Sequence, residues 1–356
     1  MKIFEVNNDA LESQFLSLPL KLHGKNPNRS VQLGKDVAHI FDERKNSLLR
    51  TGDAARWILL NDYNMPAGRI AAFYNHSGGN KTGGMGFFEC QDSSEAAQLL
   101  FETATCWLRR RGCKKAEGPV NFGEKDRFWG LLTGGFDSPS LYLDNFNPPC
   151  YESFFRNFHF NETEEIHTYK VLMSEVPVER IKAVAERLTS RAQICFSHVH
   201  LTDEEKSAEE IHAVYSSSFD ESKRMKHLSK DDIRELIRLN KNVLEEKLIP
   251  VAYHGETPVA LLGAMKDLNQ SLVNPTRKPD EIFLKGFAFA VIPRFREQGI
   301  ELGLCYELYR SLKADGKNYQ LFFSGVNKNS YRMISFLKTL NAKLYKIHKT
   351  FSLTLE

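Results

Sequence analysis

Hydrophobic and polar positions follow the same succession of patterns in the two halves of the 356-residue chain. In the first half, short apolar runs bounded by turn residues predict strands, and apolar residues at helical spacing predict helices. The predicted elements are strands over 57–62, 68–75 and 83–90, a helix between Ser93 and Gly112, a strand near 140–147, a helix over 149–157 and a strand over 166–173.

The second half repeats this order. Its predicted elements are strands over 249–255, 258–267 and 281–293, a helix over 298–314, a strand over 319–326, a helix ending at Leu340 and a closing strand over 344–356. A tyrosine follows an asparagine by four residues at the same late point of both halves, as Asn147 with Tyr151 and as Asn327 with Tyr331. Charge-rich amphipathic helices are predicted between the halves, over about 175–245.

A β-β-β-α-β-α-β order that occurs twice predicts an α/β (α+β) protein of two similar domains. We expect one domain over 1–174 and the other over 175–356. Each is predicted to hold a mixed, mostly antiparallel sheet flanked by helices. A chain of this length is long enough for two domains of ordinary size.

Composition narrows the class of protein. An apolar fraction of 42% and a charged fraction of 26% are ordinary for a soluble globular protein. The longest apolar runs are strand-length, well short of the roughly 18–20 residues of a membrane helix, and the N-terminus has no signal-peptide pattern. A net charge of +3 is too small to imply a nucleic-acid partner. We therefore expect a cytoplasmic protein with neither a membrane nor a nucleic-acid partner.

Cysteine and histidine spacing gives no metal-site pattern. The six cysteines are scattered without a CxxC pair, which argues against a zinc site or a disulfide framework and favours a reducing compartment. His198 and His200 alternate along a predicted strand, but no carboxylate or cysteine stands at a suitable spacing beside them. We expect no metal.

The most informative stretch is VIPRFREQGIELGL, residues 291–304, where a strand runs through Pro293 into a helix opened by Gly299. The first turn of a helix has free N–H groups and a positive dipole end, which together bind phosphate. Arg296 would add a delocalised positive charge. Glu301 opposes this, because a carboxylate about 4 Å from a phosphate charge repels it by roughly 1 kcal/mol in water and about 4 kcal/mol at an effective dielectric of 20.

This stretch resembles the acyl-CoA motif of the GNAT superfamily of N-acyltransferases. The matching residues are Val291, Pro293, Arg296, Gly299 and Ile300, an asparagine after the next strand (Asn327 or Asn329), and the helix and strand from Met333 to Phe351. The first half resembles uncharacterised bacterial tandem-GNAT proteins in the phrases GRIAAF, GFFEC, GPVNFG, GLLTGGFDSP and NPPCYESFF. The resemblance covers most of the chain and implies two tandem GNAT-like domains.

The resemblance also implies acetyl-CoA or another acyl-CoA as co-substrate. Its predicted contacts are Val291, Arg296, Gln298, Gly299, Ile300 and Asn327. Many family members place a proton-donating tyrosine where this chain has Phe336, so Tyr331 is the candidate acid. Glu281 and His348 are candidate bases. Each of these also fits an ordinary helix or strand position, an alternative that the sequence leaves open.

The corresponding strand–helix junction of the first half is less suited to phosphate. Gln91 to Glu95 carry helix-capping and acidic side chains where a phosphate would need N–H groups. We expect that half to be scaffold. Its long irregular loop, 118–139, is predicted to line a pocket between the halves, with Asn121, Arg127 and Trp129 contacting the acceptor. The alternative is an Ω-loop that packs on itself.

Together these features predict an acyl-CoA-dependent N-acyltransferase acting on a small-molecule or peptide amine bound between the domains. One alternative is a binding or structural protein that keeps the tandem fold without turnover. Another is a transferase that takes its acyl group from aminoacyl-tRNA, as in the peptidoglycan-bridge ligases whose tandem architecture this chain also resembles.

Overall fold

A computed structural model of the chain describes residues 1–76, 81–123, 125–218, 229–273 and 280–356. The chain forms two compact units. The first comprises Met1–His167, Leu268–Pro275 and Tyr345–Glu356, and the second comprises Thr168–Asp267 and Thr276–Leu344.

The elements alternate as the hydrophobic pattern requires. Up to residue 160 they are β1 (Lys2–Glu5), α1 (Asp9–His23), α2 (Gly34–Phe41), β2 (Gly52–Leu60), β3 (Pro66–Asn75), β4 (Thr82–Cys90), α3 (Ser94–Arg110), β5 (Lys115–Gly118), β6 (Leu131–Gly134) and α4 (Cys150–Asn157). β7 (Asn161–Leu172) begins in the first unit and ends in the second.

The remaining elements are α5 (Val178–Arg191), β8 (Ile194–His198), α6 (Glu204–Ser218), α7 (Lys230–Asn240), β9 (Pro250–His254), β10 (Thr257–Lys266), α8 (Leu268–Val273), β11 (Glu281–Val291), α9 (Ile300–Lys313), β12 (Asn318–Asn327), α10 (Tyr331–Thr339) and β13 (Lys343–Thr354). No helix in the described part of the chain is both long enough and apolar enough to cross a bilayer.

The strands of the first unit follow the order β1-β2-β3-β4-β5-β13. The first three neighbouring pairs are antiparallel, β4 and β5 are parallel, and β13 returns antiparallel to β5. The C-terminal strand therefore completes the sheet of the first unit. A β-bulge interrupts β4, where Phe87 and Phe88 face the single residue Ile70 of β3.

The second unit has an equivalent strand order, and its first four neighbouring pairs have the same directions as those of the first unit. β8, β9, β10 and β11 are successive antiparallel neighbours, β11 and β12 are parallel, and β7 is the next neighbour of β12. A bulge falls at the equivalent place in β11, where Phe287 has no partner between the pairs Gly263–Ala288 and Ala264–Gly286. Both units are thus mixed, mostly antiparallel sheets with helices, as the sequence predicts.

Each unit has its own core. In the first, α3 and α4 bury an aromatic cluster against the sheet, with Phe88 and Phe101 stacked 4.6 Å apart. In the second, α5, α9 and α10 cover one face of the sheet, where Ile300, Leu304 and Leu308 are fully buried. The apolar stripe of α9 at i, i+4 and i+8 accounts for this packing.

Two predicted details need correction. The strand predicted near 140–147 is absent, because that segment is irregular. Its place in the sheet is taken by β5, which the sequence pattern did not reveal because only Ala116 and Gly118 of its four residues are buried. The boundary predicted at residue 174 lies close to the division at 167/168, and the last strand, predicted in the second domain, packs within the first unit.

Candidate functional site

The junction between β11 and α9 in the second unit has an unusual backbone. After the strand ends at Val291, a 3-10 turn spans Pro293–Phe295. Glu297 and Gly299 then both have left-handed conformations, with φ of 65° and 86°. Left-handed residues alternating with others turn successive N–H groups toward one side, which forms an anion-binding concavity. A Cβ on Gly299 would lie 3.1 Å from Cγ1 of Val184, so glycine suits the position for two reasons.

The N–H groups at this junction have no acceptor in the part of the chain that the structure describes. Within the described ranges, the amides of residues 297–301 donate to neither a backbone nor a side-chain oxygen, whereas the amide of Leu302 bonds to the carbonyl of Gly299. No side chain caps α9. Five consecutive N–H groups at the positive end of a 14-residue helix are therefore available to an anion.

The strands next to this helix separate in front of it. β11 and β12 pair from Glu281–Asn318 to Lys285–Phe322, and their pairing does not continue in the rest of either strand as described. β11 stays paired with β10 as far as Val291. One edge of β11 is therefore open over 286–291, and an extended ligand can add to such an edge as an extra strand.

The predicted cofactor contacts Val291, Arg296 and Asn327 lie around this opening, but each is already engaged. Arg296 donates from Nε to the carbonyl of Val291 at 3.0 Å and from Nη2 to the carbonyl of Ser218 at 2.5 Å. The Asn327 side chain accepts from the amide of Asn329 at 2.9 Å. Arg296 therefore braces the end of β11, with its guanidinium bonded to the backbone.

The other predicted cofactor contacts offer their backbone. Gln298 and Ile300 contribute two of the free amides, and the Gln298 side chain donates to the carbonyl of Arg294 at 3.2 Å. Glu301 is partly buried in the first turn of α9, and its carboxylate has no hydrogen bond or ion pair within the described ranges. Burial is the main cause of the raised pKa of the Cys305 thiol, and the charge of Glu301 raises that pKa further. Among the described residues, Glu301 therefore has no counter-charge at this site.

The candidate catalytic residues lie apart from one another. Tyr331 is the first residue of α10 and is 81% exposed. Glu281 begins β11, where Gln320 donates a hydrogen bond to it, ten residues and roughly 33 Å of strand before Val291. Phe336 is 9% exposed and stacks on Phe289 with a centroid distance of 5.0 Å, so an apolar ring stands at the position where the family resemblance implies an acid.

In the first unit the equivalent junction is closed by the protein itself. β4 leads into α3 within three residues, and the Ser93 hydroxyl accepts from the amide of Ala96 at 3.2 Å. The hydroxyl of Tyr151, on α4, accepts from the amide of Cys90 at 2.8 Å and lies 2.7 Å from its carbonyl oxygen. The last residue of β4 is thus bonded to a fully buried tyrosine.

A buried polar cluster supports that tyrosine, and the sequence analysis missed it. Oε2 of Glu89 lies 3.2 Å from the Tyr151 hydroxyl and 2.7 Å from Nε2 of His23. Arg69 is fully buried on β3, and it donates to the carbonyl of Phe15 and to Gln32. Burial lowers the pKa of Arg69 to about 10, while the charge of Glu89 opposes that shift. The repeated asparagine–tyrosine spacing was the one sequence signal that singled out Tyr151.

The loop predicted to contact an acceptor lies in the first unit. Asn121 is buried and donates to the carbonyl of Arg127 across the loop. Arg127 is 3.4 Å from Asp126, and Trp129 has its ring 5.1 Å from the Lys125 ammonium. His348, a candidate base, is buried with Nε2 3.1 Å from the carbonyl of Asn145. Asn121, Arg127 and Trp129 thus each contact another residue of the loop, and their contact with an acceptor stays a prediction.

Ligand groups for a metal are absent from the described ranges. No three His, Cys, Asp or Glu side chains are grouped at ligand distances there. His198 ends β8 with Nε2 3.0 Å from the Ser311 hydroxyl, and His200 lies beyond the strand. The six cysteines form no disulfide.

Two curated proteins resemble the sequence. No family model matches the chain. A bacterial ceramide synthase from Caulobacter vibrioides is 20% identical over 255 residues, which cover 70% of this chain and 65% of that protein. Protein YghO of Escherichia coli is 18% identical over 271 residues, covering 73% of this chain and 67% of that protein. The chain thus spans about two thirds of the length of each.

Solved structures resemble the whole chain. The glucosamine N-acetyltransferase region of a fungal multi-domain GH3 β-N-acetylglucosaminidase gives a TM-score of 0.61 at 12% identity, over 99% of this chain and 38% of that one. A tandem GNAT protein of clavulanic acid biosynthesis gives a TM-score of 0.59 at 10% identity, over 100% of this chain and 98% of that one. A GCN5-related N-acetyltransferase from Sphaerobacter thermophilus gives a TM-score of 0.52 at 8% identity, over 99% of this chain and 96% of that one. The chain therefore has the tandem fold of the GCN5-related N-acetyltransferases, or GNAT proteins.

Proposed function

We propose that the chain is an acyl-CoA-dependent N-acyltransferase whose second unit binds the acyl-CoA. The observation that carries this proposal is the run of five free amides at residues 297–301, beside the open edge of β11. A pyrophosphate needs several donors converging on one point, and a pantetheine arm needs a row of main-chain groups. The second unit offers both side by side.

Each part of the cofactor has a matching feature of the chain. The pyrophosphate lies on the amides of 297–301, where the helix terminus adds roughly 0.3–2 kcal/mol of favourable electrostatic energy. The pantetheine arm lies along β11 from Val291 toward Gly286. Arg296 keeps this geometry by tying the end of β11 to the last residue of α6. Glu301 opposes binding, so we expect modest affinity.

The reaction joins the acyl group to an amine. The neutral amine nitrogen attacks the thioester carbonyl carbon, a C–N bond forms and the C–S bond breaks. The nitrogen loses one proton, and the departing thiolate takes up one. Phe336 cannot supply that proton, and Tyr331 and Glu281 stay predictions for the acid and the base. The apolar rings of Phe289 and Phe336 exclude water from one side of the opening between β11 and β12.

Similarity to a ceramide synthase supports the same reaction class. A ceramide is an amide, so its synthesis joins an acyl group to an amine nitrogen. At 20% identity this likeness leaves the acceptor open. We therefore propose an amine acceptor without naming the amine.

Titration calorimetry of the whole chain with acetyl-CoA and longer acyl-CoAs tests the proposal. We expect binding by the wild-type protein and none by Gly299→Glu, since a Cβ at this positive-φ position would strain the backbone that presents the free amides and would crowd Cγ1 of Val184. Gly255→Glu is the matched control, because Gly255 also has a positive φ, of 62°, but stands in open space in the turn between β9 and β10. Wild-type protein that binds no acyl-CoA at millimolar concentration would refute the proposal.

A protein that binds acyl-CoA without turnover is the second candidate. It is favoured by Phe336, which leaves the expected acid position without a proton donor, and by the negative charge of Glu301 in the first turn of α9. Release of free thiol from acyl-CoA across a panel of amines separates the two. Thiol release that depends on an amine supports the transferase. Binding of acyl-CoA with no thiol release for any amine of the panel supports the second candidate.

A further inference from the structure

Phe287 presents an exposed aromatic ring on the strand proposed to hold the cofactor arm. Its side chain is 48% exposed, and it occupies the bulge in β11. A bulge redirects a side chain that regular pairing would place in the alternating pattern. A large apolar residue exposed at this point of the sheet is available to a ligand.

Gly263, on the neighbouring strand β10, lets this ring lie against the sheet. A Cβ at position 263 would lie 2.5 Å from Cζ and 2.6 Å from Cε2 of Phe287. No real contact is that short, so any other residue would displace the ring. The glycine and the bulge together fix where the aromatic surface lies.

The strand segments that border the opening are uncharged. The outer halves of the two separating strands, 286–292 and 323–327, contain no acidic or basic residue. Phe289, Phe323 and Phe336 pack together, with centroid distances of 5.0–5.9 Å. Phe323 and Phe336 are at most 9% exposed, so these two rings offer little area. Phe287 lies apart from these three rings, against Gly263, and is the exposed aromatic ring of β11.

The ring also lies on the part of β11 that the acyl end of the cofactor would reach. Phe287 is four residues, or roughly 13 Å of strand, before Val291, within the stretch of β11 whose edge is open. A cofactor with its pyrophosphate at 297–301 and its arm along that edge points its acyl group toward Gly286 and Phe287. The continuity of the two features assigns the ring to the acyl group.

We propose that the acyl group is a long aliphatic chain, of about eight carbons or more, and that Phe287 binds it. This inference rests on the proposed function. An acetyl group buries little surface on a phenyl ring, whereas a long chain gains up to about fourfold in affinity for each methylene that it buries. Phe287 is therefore a specificity-determining residue for chain length.

Calorimetry with coenzyme A, acetyl-CoA, octanoyl-CoA and dodecanoyl-CoA, each below its micellar concentration, tests the inference. We expect dodecanoyl-CoA to bind at least about tenfold more tightly than acetyl-CoA. Phe287→Ala should remove most of that difference and leave coenzyme A binding unchanged, and Phe287→Leu should keep part of it. Phe4→Ala is the matched control, since Phe4 is 41% exposed in the first unit.

The outcomes separate this inference from the proposed function. Coenzyme A binding with equal affinity for all chain lengths overturns the inference and leaves the function standing. No binding of any of the four ligands overturns the function as well. If Phe287→Ala instead changes only the KM for a long alkylamine such as dodecylamine, the ring serves the acceptor and the inference is wrong.

Discussion

The hydroxyl of Tyr151 closes the end of β4, bonding to both the amide and the carbonyl of Cys90 at 2.8 and 2.7 Å. The residue at the same point of the repeated pattern in the second unit, Tyr331, is 81% exposed. The tyrosine of the repeated pattern therefore hydrogen-bonds the end of β4 in the first unit, whereas its counterpart in the second unit is exposed to solvent. We infer that the end of β11, unlike the end of β4, is free for a cofactor.

Replacing Tyr151 should destabilise the first unit. Tyr151→Phe keeps the ring and leaves the Cys90 amide without its acceptor, which costs about 1–3 kcal/mol for a buried donor. Urea unfolding followed by tryptophan fluorescence measures this, because all three tryptophans belong to the first unit. Tyr331→Phe, at the exposed position, should change the free energy of unfolding by less than about 0.5 kcal/mol. Equal effects of the two variants would contradict the role of Tyr151.

The hydrophobic pattern predicted the fold because most strands bury alternating or continuous apolar runs. It missed β5, which buries only two small residues, and it placed a strand near 140–147 where the chain is irregular. In the site, the sequence located Gly299 and the free amides, since local backbone chemistry determines both. It could not show that Arg296 bonds to carbonyls, or that Glu89 contacts His23 across 66 residues, because those partners meet only in the folded chain.

Removing the charge of Glu301 should strengthen cofactor binding. Glu301→Gln eliminates a repulsion of about 1 kcal/mol or more with a phosphate roughly 4 Å away, so the Kd for coenzyme A should fall by at least about fivefold. Calorimetry at low ionic strength measures the change. Glu95→Gln, in the first turn of α3, is the matched control and should leave the Kd unchanged. An unchanged or weaker affinity in Glu301→Gln would mean that the phosphates lie elsewhere.

Stability of the first unit should rise with pH through the buried Lys346. This side chain is fully buried, and its ammonium donates to the carbonyls of Gly135 and Ser138 at 2.9 and 2.8 Å. Burial lowers the pKa of Lys346 to about 8. An unfolded lysine keeps its proton to about pH 10.4, so between these values the unfolded state binds more protons and stability increases with pH.

The free energy of unfolding should increase by about 2 kcal/mol between pH 7 and pH 9.5, because each pKa unit corresponds to 1.36 kcal/mol. Tryptophan-monitored urea unfolding at several pH values measures it, and Lys346→Met should flatten the curve. Lys343→Met, on the same strand with an exposed side chain paired to Glu175, should preserve the slope. A slope that persists in Lys346→Met would assign the effect to another group.

The central claim is that the second unit alone holds the cofactor, on the amides that open α9. Hydrogen–deuterium exchange of the whole chain, with and without saturating coenzyme A, tests it directly. We predict slower exchange at the amides of 297–301 and unchanged exchange in the first turn of α3, where Ser93 already caps the helix. Protection at α3, or no protection at 297–301 despite measured binding, would contradict the claim.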